Sequence, residues 1–132
     1  MRMSLLPLAA LAAAAAAPAA AETLAMSKGE AKLARELEGR VAGEPVDCID
    51  LNRIRSSRII DRTAIVYEVG QTLYVNRPRG GAESLNDWDV MVLKPFGGRL
   101  CSVDTVQLFD NGGRFQRGFV FLGDFIPYRR SK

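Results

Sequence analysis

Three features of the 132-residue sequence predict a mainly β protein: a small antiparallel sheet curling toward a barrel or sandwich, preceded by one short amphipathic helix and tied by one disulfide. Short runs in which β-branched and aromatic residues alternate with polar ones recur at regular spacing from Pro45 onward. The Gly-Gly pairs at 80–81, 97–98 and 112–113 each fall where such a run stops. That is the pattern of turn glycines, and no helix is predicted after any pair, which argues against a phosphate-cradling loop. Cys48 and Cys101 are the only cysteines, and in an exported chain so small and even a count is most simply one bridge.

Export is the expectation set by the first residues. Met1-Arg2-Met3 gives a positive start, Leu5 to Ala17 is apolar and uncharged, and Ala19-Ala20-Ala21 precedes Glu22 in the small-x-small pattern of signal-peptidase cleavage. The reading is a secretory leader over 1–21, cleaved after Ala21, and a periplasmic mature protein that no longer spans a membrane. The remaining 111 residues suffice for one core. They divide into a helical segment over 22–42, one β-rich domain over 43–128 and a basic tail over 129–132.

The elements follow in order. Ser27-Lys28-Gly29-Glu30 has capping-box spacing, and Leu33, Leu37 and Val41 form a narrow apolar stripe, so a helix is predicted over 28–40. Lys32–Glu36 and Glu36–Arg40 have the spacing of helical ion pairs. Pro45-Val46-Asp47-Cys48-Ile49 enters the domain. Ile59-Ile60 leads to a turn at Asp61-Arg62, and Thr63 to Val69 places Ile65, Tyr67 and Val69 on one face. Gly70-Gln71 turns into Thr72 to Arg77, completing a hairpin. Further strands are predicted over 88–93, 103–109 and 118–122, with Phe125 to Tyr128 closing the core. Most aromatic residues sit at alternating positions and are expected inside, although Phe115, Phe119 and Phe121 are dense enough for part of that set to form an exposed patch.

Composition excludes more chemistry than any motif suggests. The chain has no histidine, which removes the usual base of serine and cysteine hydrolases and the commonest ligand of catalytic zinc. Without Arg2 the mature chain carries 17 Lys+Arg against 15 Asp+Glu, a balance that does not read as a nucleic-acid footprint. Arg53, Arg55, Arg58 and Arg62 lie close together, but Asp47, Asp50 and Asp61 interleave, so local pairing is favoured over a polyanion site. The cysteines lack C-x-x-C spacing and neighbouring ligands, which disfavours a redox pair or a metal site. A bridge closing a loop of about fifty residues would restrict the unfolded chain by roughly 4 kcal/mol.

Five motifs carry a resemblance: Pro45-Val46-Asp47-Cys48-Ile49; Ile60-Asp61 with Ile65-Val66-Tyr67; Tyr74-Val75-Asn76-Arg77; Arg99-Leu100-Cys101-Ser102-Val103-Asp104; and Leu122-Gly123-Asp124-Phe125-Ile126-Pro127. Together, over residues 43–128, they resemble a family of small exported proteobacterial proteins known only as a domain of unknown function. Members often carry two further cysteines, whose matching positions lie near Ala82 and Val120; both are missing here, as expected if those two pair with each other and leave Cys48 to pair with Cys101. The resemblance implies an address and a disulfide, and no activity.

Candidate chemistry rests on Asp61, Asp104 and Asp124, the acids inside these motifs, and on Arg77 at a strand end. Paired carboxylates with unequal pKa values can perform acid–base work or hold a cation, and an arginine can fork onto a carboxylate or phosphate. The plainer roles are bonds from the aspartates to nearby backbone amides, and pairing of Arg77 with Asp104 or Asp124. No catalytic set, cofactor or metal is assigned. The leading expectation is a non-enzymatic envelope module that binds another envelope protein or a small ligand. The alternatives are a small enzyme built on Asp104, Asp124 and Arg77, and a structural or stress-related envelope component.

Overall fold

The computed structural model describes residues 19–95 and 97–131, with side chains from Lys28 onward; the predicted leader over 1–21 falls, but for its last residues, outside them, as does Phe96. A helix, α1 (Ala19–Glu36), precedes ten strands: β1 (Arg40–Ala42), β2 (Cys48–Asp50), β3 (Ile54–Ile60), β4 (Ala64–Val69), β5 (Thr72–Asn76), β6 (Val90–Leu93), β7 (Arg99–Cys101), β8 (Thr105–Phe109), β9 (Gln116–Phe121) and β10 (Phe125–Arg130). All pairings are antiparallel. They build a five-stranded sheet in the order β1-β10-β5-β4-β3, a three-stranded sheet β6-β8-β9 and a two-stranded ribbon β2-β7. The sheets stay open: among the described residues no pairing closes a barrel. No described helix is long and apolar enough to cross a membrane.

The five-stranded sheet is the middle layer, and its central strand explains why. Ala64, Ile65, Val66 and Tyr67 of β4 are all buried, so both faces are covered. Ile65 and Tyr67 join Ile59 and Phe125 in a core completed by Val106, Leu108, Val120, Leu100 and Ile49 from the smaller sheets and by Leu122 just after β9. Ala64 and Val66 pack on the other side with Ile60, Leu73, Val75 and Leu33 of the helix. The hairpin at Gly70-Gln71 and the turn after Ile60 stand as the sequence suggests. In β3 the register shifts between Ile54 and Ser56. That bulge reverses the parity of the strand, so Ile54 packs with the first core rather than under the helix.

The helix differs from its expected form. It ends at Glu36 rather than Arg40. Arg40 to Ala42 become β1, paired with the end of β10, so the sheet reaches beyond 43–128 at both ends and takes in Arg129 and Arg130. Leu33 is buried and Leu37 partly so, but Val41 is exposed on β1. The helix charges serve tertiary pairs instead of helical neighbours. Glu36 meets Arg58 at 3.1 Å, Lys32 meets Asp87 at 3.8 Å, and Arg40 donates to the carbonyls of Gln71 and Tyr128. Glu30 faces Arg77. It accepts both terminal nitrogens of Arg77, at 2.5 and 3.1 Å, and that guanidinium holds its carboxyl below the ordinary range. Gly29 lets α1 approach the β3–β4 turn, since a Cβ there would stand 1.9 Å from Thr63 Oγ1.

Cys48 and Cys101 face each other directly across β2 and β7 and form the expected disulfide. Cys101 lies on its own short strand, β7, separated by a turn from β8.

Tyr67 is buried against Phe125 with ring centroids 5.8 Å apart, and its hydroxyl has no hydrogen-bond partner among the described residues. Burial pushes this phenol well above the ordinary 10.0. Below that value the group is neutral in both states. Above it the unfolded chain ionises while the folded protein does not, so stability falls as pH rises. Tyr67→Phe is expected to leave stability unchanged or raise it by up to about 1 kcal/mol at neutral pH. It should also remove part of the alkaline loss, as urea unfolding on both sides of the phenol range will show.

Candidate functional site

Three of the residues singled out in the sequence, Arg77, Asp104 and Asp124, lie around the seam where the chain leaves the three-stranded sheet and enters the five-stranded one, while Asp61 stands apart in the β3–β4 turn. At the seam Asn76, fully buried at the end of β5, clamps the backbone of Gly123. Its Nδ2 donates to Gly123 O at 2.7 Å, and Gly123 N donates to its Oδ1 at 2.9 Å. A side chain at 123 has no room, because a Cβ would lie 2.4 Å from the carbonyl oxygen of Arg77. Arg79 ties the surrounding loops, its Nε donating to Leu122 O at 2.8 Å and its Nη2 to Ser102 O at 2.9 Å.

The four candidate residues take different partners. Asp104 closes the turn after β7: its Oδ2 accepts the Cys101 amide at 2.7 Å, and its own amide donates to Cys101 O at 2.9 Å. Asp61 Oδ1 accepts the amide of Asp87 at 2.6 Å, a backbone bond as anticipated but to a distant loop. Asp124 is exposed. Arg77 pairs with Glu30 and not with Asp104 or Asp124. No hydrogen bond or ion pair joins Asp61, Asp104, Asp124 and Arg77 to one another among the described residues. No group of three or more potential metal ligands occurs among those residues either.

The arginine cluster also departs from expectation. Arg58 pairs with Glu36 and Glu68, neither of them an interleaving aspartate. Asp50 accepts the amide of Asn52 instead of an arginine. Arg53, Arg55 and Arg62 are exposed, with no carboxylate in salt-bridge range among the described residues.

A second feature is the outer face of β6-β8-β9. Val106, Leu108 and Val120 point to the core, so their neighbours point outward. Register aligns Val92, Gln107 and Phe119 in one row and Thr105 with Phe121 in the next. Phe119 and Phe121 are 47% and 48% exposed and meet edge to face at 5.3 Å. Val90 is exposed on the same sheet, and Val103, 80% exposed, borders a shallow cavity of about 240 Å³ with Val92, Lys94, Asp104, Thr105 and Gln107. Trp88 and Phe115, both at least 70% exposed, flank one end of the sheet. These aromatics were mostly expected in the core. Alternation identified two faces of β9 but not which one was covered.

Comparison of the chain with protein-family models, curated proteins and solved structures finds no match.

The seam predicts its own test. Asn76→Ala leaves a buried backbone amide and carbonyl unpaired and should cost about 2–4 kcal/mol in urea unfolding. Gly123→Ala should cost about 1–3 kcal/mol by overpacking against Arg77 O. Asp124→Ala, at an exposed position, should stay within about 0.5 kcal/mol of the parent.

Proposed function

We propose that this chain is an exported, non-enzymatic binding module of the cell envelope that docks another envelope protein on the outer face of β6-β8-β9. The observation that carries this reading is the edge-to-face pair of half-exposed Phe119 and Phe121 on β9, with Val90 and Val103 also exposed on or next to the same sheet. Aromatic side chains left half-exposed on a folded surface are a mark of an interaction site. The apolar, uncharged run Leu5–Ala17 and the small residues before Glu22 support the periplasmic address, as does the resemblance to exported proteins of unknown function. The bridge between Cys48 and Cys101 suits an oxidising compartment. The partnering of Asp61, Asp104 and Arg77 within the fold gives an acid–base mechanism no support.

Site-specific photo-crosslinking in the producing cell tests the face. Probes at Phe119, Phe121 and Val103 should give a discrete adduct, and a probe at exposed Glu44 should not. Phe119→Ser with Phe121→Ser should abolish the Val103 adduct while leaving the unfolding midpoint within a few degrees. Absence of adducts at all three positions would sink this reading. The address is checked separately: the native protein should begin at Glu22 and present no alkylatable thiol.

A further inference from the structure

A cavity of about 360 Å³ lies between α1 and the β3–β4 turn, lined by Lys28, Gly29, Lys32, Asp61 and Arg62. Three of these five residues are cations. Lys28 and Lys32 are one helical turn apart, a like-charge spacing that disfavours an isolated helix. Lys28 and Arg62 have no carboxylate in salt-bridge range among the described residues, and Lys32 has only Asp87 at 3.8 Å. The acids nearby are engaged: Asp61 Oδ1 accepts the Asp87 amide at 2.6 Å, and Asp87 Oδ2 faces Lys32.

Arg62 has a second peculiarity. It is the only non-glycine residue with positive φ among those described, at 54°. It stands third in a turn closed by the Thr63 amide on Ile60 O at 3.0 Å. A left-handed turn position ordinarily belongs to glycine or asparagine, because a Cβ there crowds the backbone. Strain of this kind persists where the side chain serves something other than folding. Gly29, by admitting the turn to the helix, brings Arg62 beside both lysines.

We propose that this cavity is an anion site for a phosphate monoester, with Lys28, Lys32 and Arg62 as its ligands. Three cations around one cavity, against the single carboxylate of Asp61 in its lining, match an anion, and the volume lies at the lower end of the range for small-ligand pockets, about 300–1,000 Å³. Arginine forks onto two phosphate oxygens, and the lysines add point charges. The phosphate can be carried by a free metabolite or by a lipid headgroup. The site belongs to the α1 layer, across the middle sheet from the β6-β8-β9 face, so either site can fail without the other.

Amide NMR of the full chain, titrated with glucose 6-phosphate at constant ionic strength, tests the proposal. Saturable shifts are expected at Lys28 to Lys32 and Asp61 to Thr63, with none from glucose or potassium chloride. Arg62→Gly removes the cation and relieves the turn. It should weaken binding about tenfold or more with an unfolding midpoint no lower than the parent's. Lys28→Ala, at an exposed position, should weaken binding comparably. Flotation with phosphatidylcholine vesicles, with and without phosphatidic acid, separates the sources. Binding only to the phosphatidic acid vesicles, lost in both variants, would assign the phosphate to a lipid. No response to either probe, equal shifts with chloride, or unchanged binding by Arg62→Gly would overturn the proposal.

Discussion

The fold depends on a short stretch of backbone, Leu122 to Asp124, that carries the chain from the small outer sheet into the middle one. Where this crossing passes the core shared by the two sheets, Leu122 and Gly123 are buried, so their backbone polar groups need partners inside the protein. Asn76 supplies both a donor and an acceptor to Gly123. The absence of a side chain at Gly123 lets the crossing lie against Arg77 O. From this point β10 enters beside β5, Leu122 and Phe125 fill the first core, and the Cys48–Cys101 ribbon packs alongside through Ile49 and Leu100.

That dependence gives the motif residues a common explanation. Asp104, Asn76, Arg79 and Gly123 hold turns and strand ends together through backbone hydrogen bonds. Bonds of this kind ask for particular side chains as strictly as a reaction would. The surfaces with side chains to spare lie elsewhere. On the outer sheet these are Phe119 and Phe121, each about half exposed; at the helix they are cations with too few acids to meet.

Legibility in the sequence followed the length and regularity of each element. The β4–β5 hairpin was readable because Ile65, Tyr67, Leu73 and Val75 alternate around Gly70-Gln71. The bridge was readable from a count of two. β1, β2 and β7, at three residues each, are too short to show a period, and they exist because longer strands offer them an edge or a partner. Most of β3 was hidden by its bulge and by arginines and serines suited to an edge strand. The partner of Arg77 is 47 residues away on the helix, a distance at which spacing carries no signal. The three-cation cavity was equally hidden, because Lys28 and Lys32 read as a solvated helix face until the turn at Arg62 is placed beside them.

Native-state hydrogen exchange at the Gly123 amide most directly tests the claim that this crossing joins the two sheets. The amide should exchange only through global unfolding, with the same free energy as the amides of Ile65, Val66 and Tyr67. Exchange of Gly123 through local opening, while those β4 amides stay protected, would mean that the sheets hold together without the Asn76 clamp.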